Sequence, residues 1–447
     1  MPNSPETKES AAEATSILSA GPVAAEPGMP QWFRDGQAAA WGEFAAAPMP
    51  VRKDEAWRFA NLKRVAALDS FAPADPVSGE AAAQLVKESK GLAEPCARLV
   101  FANDHLIHES DGVRELREQG VLCLPLAYAL MEYGDLVEKH FMVAEVELGS
   151  AKFAALHRAR VRSGTFLFVP KGVVVDRPIE VFHWASGDGA AIFPHTLIIA
   201  EENAQVAVFD HFCSAAEGEA HFACGVNDLS AETGARVTYA AAQQLSAKSS
   251  AIQINSTTVG RDAEIRQLQA QLGAGWSRTE SVSHLTGPGA NSLMLSAAVA
   301  TAGQEIDQRT LQHHESERAT SDLLYKNVLF GDARTIFAGL IQVDERAHYT
   351  DAYQKCRNLL MSDEAEANSM PGLEINADQV KCSHGATTGQ ISEEELFYLE
   401  ARGIPPESAK RLIATGFAFE AIDRLGNPAI QDLIEALVEQ RFANLAE

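Results

Sequence analysis

No stretch of the 447-residue chain stays apolar for the roughly 20 residues that a bilayer-spanning helix needs, so a helical membrane protein is excluded. Basic residues are scarce. Thirty-seven Lys and Arg stand against 61 Asp and Glu, and the formal net charge of −24 repels phosphate polymers and anionic lipid. Nucleic acid and membrane surfaces are therefore excluded as partners. Cysteine is also sparse: Cys96, Cys123, Cys213, Cys224, Cys356 and Cys382 include no C-x-x-C pair and no dense framework, so free thiols in a reducing compartment are expected. Residues 1–30 carry Glu6, Glu9, Glu13 and Glu26 but only Lys8 as a base before residue 31. They lack the basic start of a secretory leader and the Arg-rich, acid-poor character of a transit peptide, which makes the cytoplasm the expected location.

Several motifs are missing as well. There is no G-x-x-x-x-G-K-[ST] phosphate loop, and Gly287-Pro288-Gly289 lacks the third glycine and strand-to-helix setting of a dinucleotide fingerprint. Without H-E-x-x-H, G-x-S-x-G or paired zinc cysteines, the common hydrolase and zinc patterns are absent too.

What is present, 46% apolar and 22% charged residues, suits a globular chain of about three units at about 150 residues each. Residues 1–30 are rich in Ala, Ser, Glu and Pro and read as a flexible tail, since they have too few large apolar groups to offset ordering entropy. Across 31–157 apolar residues fall at helical spacing, as in Trp32, Phe33, Trp41 and Phe44 and again in Trp57, Phe59, Leu62 and Val65, with strand near 97–102. Across 158–391 the texture changes to short β-rich runs broken by Gly, Asn and Asp.

Within that stretch a small residue recurs at Ala204, Ala235, Ala263, Ala290, Ala319, Ala347 and Ala377, in steps of 31, 28, 27, 29, 28 and 30 residues. Strands repeating at such a step without intervening helices predict stacked turns of a parallel β-helix; on spacing alone a sandwich or barrel remains open. Across 392–447 the helical period returns, with Ser392 and Glu395 in capping-box form and amphipathic faces through Leu396, Leu399, Leu412, Phe417, Phe419, Ile430 and Leu433.

The constellation with most chemistry is Cys382-Ser383-His384-Gly385-Ala386-Thr387 at the end of the β-rich unit. On a strand, Cys382 and His384 face the same way, with Cβ atoms about 6.5 to 7 Å apart. A thiolate and an imidazole so placed can bind one soft metal or cluster, but a cluster normally takes four ligands, so others must come from another surface or chain. The competing reading is a core cysteine beside a surface histidine. His313 and His314 point to opposite faces of a strand and form no chelate as a pair. Cys356, 26 residues before Cys382, reads as an inward core residue stacked one turn away.

From Thr320 to Phe419 the sequence resembles the SufB/SufD family of iron–sulfur cluster assembly proteins. The resemblance rests on Leu324-Tyr325-Lys326, Phe337-Ala338-Gly339, Thr350-Asp351-Ala352, Asn358 to Ser362, Leu373-Glu374-Ile375, the C-S-H-G-A-T run, Leu396 to Leu399 and Arg402-Gly403-Ile404. Asp54 to Phe59 is similar to the family's N-terminal D-E-x-W-[KR]-[YF] element. Ser362-Asp363-Glu364-Ala365, lacking a cysteine, followed by C-S-H-G-A-T, points to the SufD-type branch.

The resemblance implies a mainly β fold with helical ends, in which a right-handed parallel β-helix is flanked by N-terminal and C-terminal helical domains. It implies a non-catalytic scaffold that pairs with a SufB-type subunit and shares a transient iron–sulfur cluster with it. Cys382 and His384 would be the metal-site residues at that interface, His384 facing a cysteine of the partner. A SufC-type ATPase would dock on the C-terminal helices, with Leu396, Leu399, Phe417 and Phe419 as anchors. The rival readings are a SufB-type paralogue or homodimer, and a β-helix enzyme, either a lyase or a thiol hydrolase using Cys382 and His384.

Overall fold

The computed structural model describes residues 15–24 and 26–445. Its centre is a solenoid of eight turns in which the chain alternates between two sheets, each turn adding one parallel strand to each sheet. One sheet ends on Glu366–Ile375 and the other on Lys381–Gln390. In the latter, Gln205, Arg236, Glu264, Asn291, Thr320, Asp351 and Lys381 are successive register partners.

A corner residue two places before each of these strand starts explains the repeat. Asn203, Gly234, Asp262, Gly289, Arg318, Tyr349 and Gln379 all have φ between 53° and 73°. This left-handed backbone turns the chain from one sheet to the other, and Gly, Asn and Asp adopt it most readily. The corners are tied together: Asn203 N–H donates to Thr233 O, Gly234 N–H to Arg261 O and Asp262 N–H to Pro288 O, at 2.8 to 3.0 Å. The residue after each of the first five corners, Ala204, Ala235, Ala263, Ala290 and Ala319, is buried because a larger side chain would meet its copies in the adjacent turns.

The last two sequence anchors are out of phase. The positions equivalent to Ala319 are Thr350 and Val380, not Ala347 and Ala377. Seven residues connect Arg334–Val343 to Asp351–Leu360, against five between Glu305–His314 and Thr320–Leu329, so the spacing of alanines slips while the strand register holds.

Inside the solenoid, Val206, Val208, Val237, Tyr239 and Ile265 stack on one another. Both outer faces are covered. On the sheet that ends with Lys381–Gln390, the helices Pro406–Ile422 and Pro428–Ala443 bury Ala414, Ala418, Ile422, Ile430 and Ile434 against Leu268, Leu295 and Leu324. On the other sheet, Phe44, Trp57, Phe153 and Leu156 pack on Phe222, Val226, Ile254 and Trp276. Arg278 joins that layer to the sheet: fully buried, it donates to Asp307 at 2.6 Å, Glu280 at 2.8 Å, Ala56 O at 3.0 Å and Leu148 O at 2.8 Å. Two carboxylates and two carbonyls are what a buried guanidinium needs to offset its desolvation.

The N-terminal unit is less helical than its spacing suggests. Ala97–Ala102 joins one sheet parallel to Ile179–Ala185, His105–Glu109 extends it, and Leu122–Pro125 joins the other sheet antiparallel to Thr165–Val169. With Val113 and Leu116 of the helix Gly112–Glu118 in the interior cluster, these strands close the first end of the solenoid. The expected flexible tail is corrected in its second half. Ile17 is fully buried and donates its N–H to Phe71 O at 2.8 Å, and Val23 N–H donates to Ala159 O at 3.0 Å. Three scattered apolar residues, Ile17, Val23 and Met29, suffice to seat it. Residues 1–14 of that tail lie outside the described residues.

Candidate functional site at the open end of the solenoid

The far end of the solenoid has no counterpart to that closure among the described residues. Glu366–Ile375 and Lys381–Gln390 each pair on one side only, leaving two ten-residue edges with backbone N–H and C=O groups facing outward.

Register places Cys382 beside Ala352, His384 beside Gln354 and Ala386 beside Cys356. Ala352, Gln354 and Cys356 are all fully buried, so their column points into the solenoid. Cys382 and His384 continue that inward column one rung past the last covered turn. In a middle turn they would be core residues; here Cys382 is half-buried and His384 exposed. Leu373 and Ile375 repeat the pattern on the other sheet. They follow the fully buried Ile341 and Val343, yet are 37% and 39% exposed. The end face thus combines apolar groups, one thiol, one imidazole and two free strand edges.

Electrostatics bear on what the thiol can do. Burial, and then the nearby Asp351 carboxylate, push the Cys382 thiol up from its ordinary value. Among the described residues no hydrogen bond joins it to His384 of the kind by which a thiol hydrolase activates its cysteine. A soft metal can still bind there, because coordination itself drives off the proton. The lyase reading fares no better, since the outer sheet faces that would form a groove carry helices over the middle turns.

Cys356 sits behind Ala386 rather than behind Cys382. It is fully buried, with Asn358 Oδ1 and Ser369 Oγ at 3.8 Å, and burial pushes its thiol up to about 12. It packs as a core group. Directly behind His384, Gln354 keeps both amide atoms buried without a partner. Reading residues one at a time misses Gln354, Leu373 and Ile375, because their significance depends on which turn is last.

Of the anchors expected on the C-terminal helices, Phe417 and Phe419 are partly buried against the solenoid, with Lys326 Nζ 4.0 Å from the Phe417 ring centre and paired to Glu420. Leu396 and Leu399 are half-buried. Among the described residues of the C-terminal helices, the apolar side chains most open to solvent are Phe397 at 72%, Tyr398 at 57% and Leu412 at 56%. Phe417 and Phe419 therefore hold the helix to its own solenoid. No helix among the described residues is long and apolar enough to cross a membrane, and all six cysteines are free.

Residues 183–417 match the family model described as SUF system FeS cluster assembly, SufBD core domain, and residues 26–181 match SufBD protein N-terminal region. The chain is 26% identical over 417 residues to the iron–sulfur cluster assembly protein SufD of Bacillus subtilis (strain 168), covering 92% of this chain and 94% of that protein. A SufBD family protein of Synechocystis sp. is 26% identical over 403 residues, covering 88% and 87% of the two chains. One from Staphylococcus aureus (strain MRSA252) is 27% identical over 330 residues, covering 74% and 70%. The chain belongs to the SufB/SufD family of iron–sulfur cluster assembly proteins and is most like SufD.

Proposed function

We propose that the chain is a non-catalytic subunit of a cytoplasmic complex, pairing through its open end with a SufB-type chain and carrying a SufC-type ATPase on its C-terminal helices. The supporting observation is the inward column that runs through Ala352 and Gln354 and ends, uncovered, at Cys382 and His384 between two unpaired edges. A second solenoid added edge to edge would continue both sheets and bury Leu373 and Ile375. It would also bring ligands from a second chain to the same face. In this reading the nascent cluster is cargo, held by Cys382, His384 and partner groups, since two donors are too few for a cluster that normally takes four. ATP hydrolysis falls to the partner, because this chain has no phosphate loop. The proposed units are 31–157, the solenoid 158–391 and the docking unit 392–447.

The test is reconstituted cluster assembly with His384→Ala and Cys382→Ser subunits. Neither change opens a core cavity, so complexes should form normally while the rate of cluster formation falls by about tenfold or more for His384→Ala and less for Cys382→Ser. Normal cluster formation by the His384→Ala complex would remove His384 from the ligand set.

A further inference from the structure

We infer a second metal site, on the outer face of the solenoid and away from its open end, with Glu147, His284 and His313 as ligands for one divalent first-row transition ion. His284 and His313 are register partners on the adjacent strands Trp276–Leu285 and Glu305–His314. Their chain neighbours Leu285 and His314 are fully buried and face inward, so both histidines face out, with ring centres 5.6 Å apart. One donor atom from each of Glu147, His284 and His313 lies within 4.8 Å of the other two. Ligands about 2.0 to 2.2 Å from a common ion stand roughly 3 to 4 Å apart, so a small side-chain adjustment closes the set.

The hydrogen bonds around the two rings supply an independent observation. His284 Nδ1 is 3.0 Å from Glu315 Oε1, and His313 Nε2 is 3.1 Å from Asp344 Oδ1. The opposite nitrogens, His284 Nε2 and His313 Nδ1, are buried and have no hydrogen-bond partner. Each imidazole is thus held through one nitrogen by a carboxylate, with Gln342 Nε2 also 3.2 Å from His313 Nε2, while the other nitrogen makes no hydrogen bond and Glu315 Oε1 stands 3.6 Å from His313 Nδ1. Histidines that ligate metals are oriented in this way, the carboxylate fixing the tautomer and raising the basicity of the donor nitrogen. Glu147 Oε1 lies 3.7 Å from the free His284 Nε2, beyond hydrogen-bond range but within reach of a shared ion.

The segment that delivers Glu147 is fixed nearby. Leu148 O accepts from the buried Arg278, and Ser150 Oγ pairs with Glu280 at 2.6 Å. Two neutral imidazoles and one carboxylate suit Zn2+ or Fe2+, with water at the remaining positions. None of these residues belongs to the last turn, so the site is independent of the proposed cluster ligands.

The experiment titrates the full-length chain with Co2+, with Zn2+, and with Fe2+ under anaerobic conditions. Binding of one equivalent of Co2+ with visible d–d absorption is expected, and displacement by Zn2+ or Fe2+ identifies the preferred ion. His284→Ala, His313→Ala and Glu147→Gln should each weaken binding by more than about tenfold, and Glu315→Gln, acting through His284, by roughly 10- to 100-fold. Glu147 is exposed, so its variant reports even if a histidine variant misfolds. A Cys382→Ser, His384→Ala chain should bind unchanged. Absence of stoichiometric Co2+ binding, or equal binding by Glu147→Gln, overturns the site. Loss of binding only in the Cys382→Ser, His384→Ala chain reassigns the metal to the open end.

Discussion

His157 is fully buried; its Nδ1–H donates to Cys224 O at 2.8 Å and its Nε2 lies 3.2 Å from His195 Nδ1. Burial lowers its pKa to about 4, so the folded chain holds it neutral where an unfolded chain, at about 6.5, would begin to protonate it. Its stabilising contribution is complete above pH 6.5 and is lost as pH falls toward 4. Urea unfolding at pH 7 and pH 5 should therefore show the parent chain losing about 2 kcal/mol more than His157→Gln. Parallel losses would mean that His157 does not stay neutral in the fold. At this scale the sequence is partly legible. Strand alternation puts Cys382 and His384 on one face, but their exposure depends on no further turn following. His284 and His313 stand one turn apart and Glu147 comes from the N-terminal unit, so nothing local in the sequence links the three.

Among the elements, the solenoid turn was the most readable, because its signal is physical and repeats. A left-handed corner favours Asn, Gly or Asp, and a small residue follows it. The signal fails at Arg318, Tyr349 and Gln379, which take the same backbone conformation without the favoured side chains. The C-terminal helices were legible as helices but not in their facing. Their apolar groups serve two surfaces, and periodicity alone cannot say that Phe417 and Phe419 lean on the solenoid while Phe397 and Leu412 remain open. If the helices dock an ATPase, the open residues are the anchors. The double substitution Phe397→Asp, Leu412→Asp should weaken ATPase binding by about tenfold or more while leaving the thermal midpoint within a degree or two, since both side chains are exposed. Undiminished ATPase binding in a titration would refute docking on this face.

The molecule as a whole is asymmetric along its axis. Strands and a helix of the N-terminal unit close one end, helices shield both sheets, and among the described residues the last turn is bare. The C-terminal helices lie along the side of the solenoid and do not cap it, a distinction that amphipathic spacing does not carry. Long, unpaired parallel edges invite another strand, and apart from Lys381, Glu366 and Glu374 these two carry no charge to discourage pairing. Pairing through this end is therefore the central claim, and hydrogen exchange measures it most directly. On addition of a SufB-type chain, backbone amides within 366–375 and 381–390 should slow by at least about tenfold, while those of the first, closed turn exchange as before. Stable complex formation with no slowing in either segment would contradict pairing through the open end.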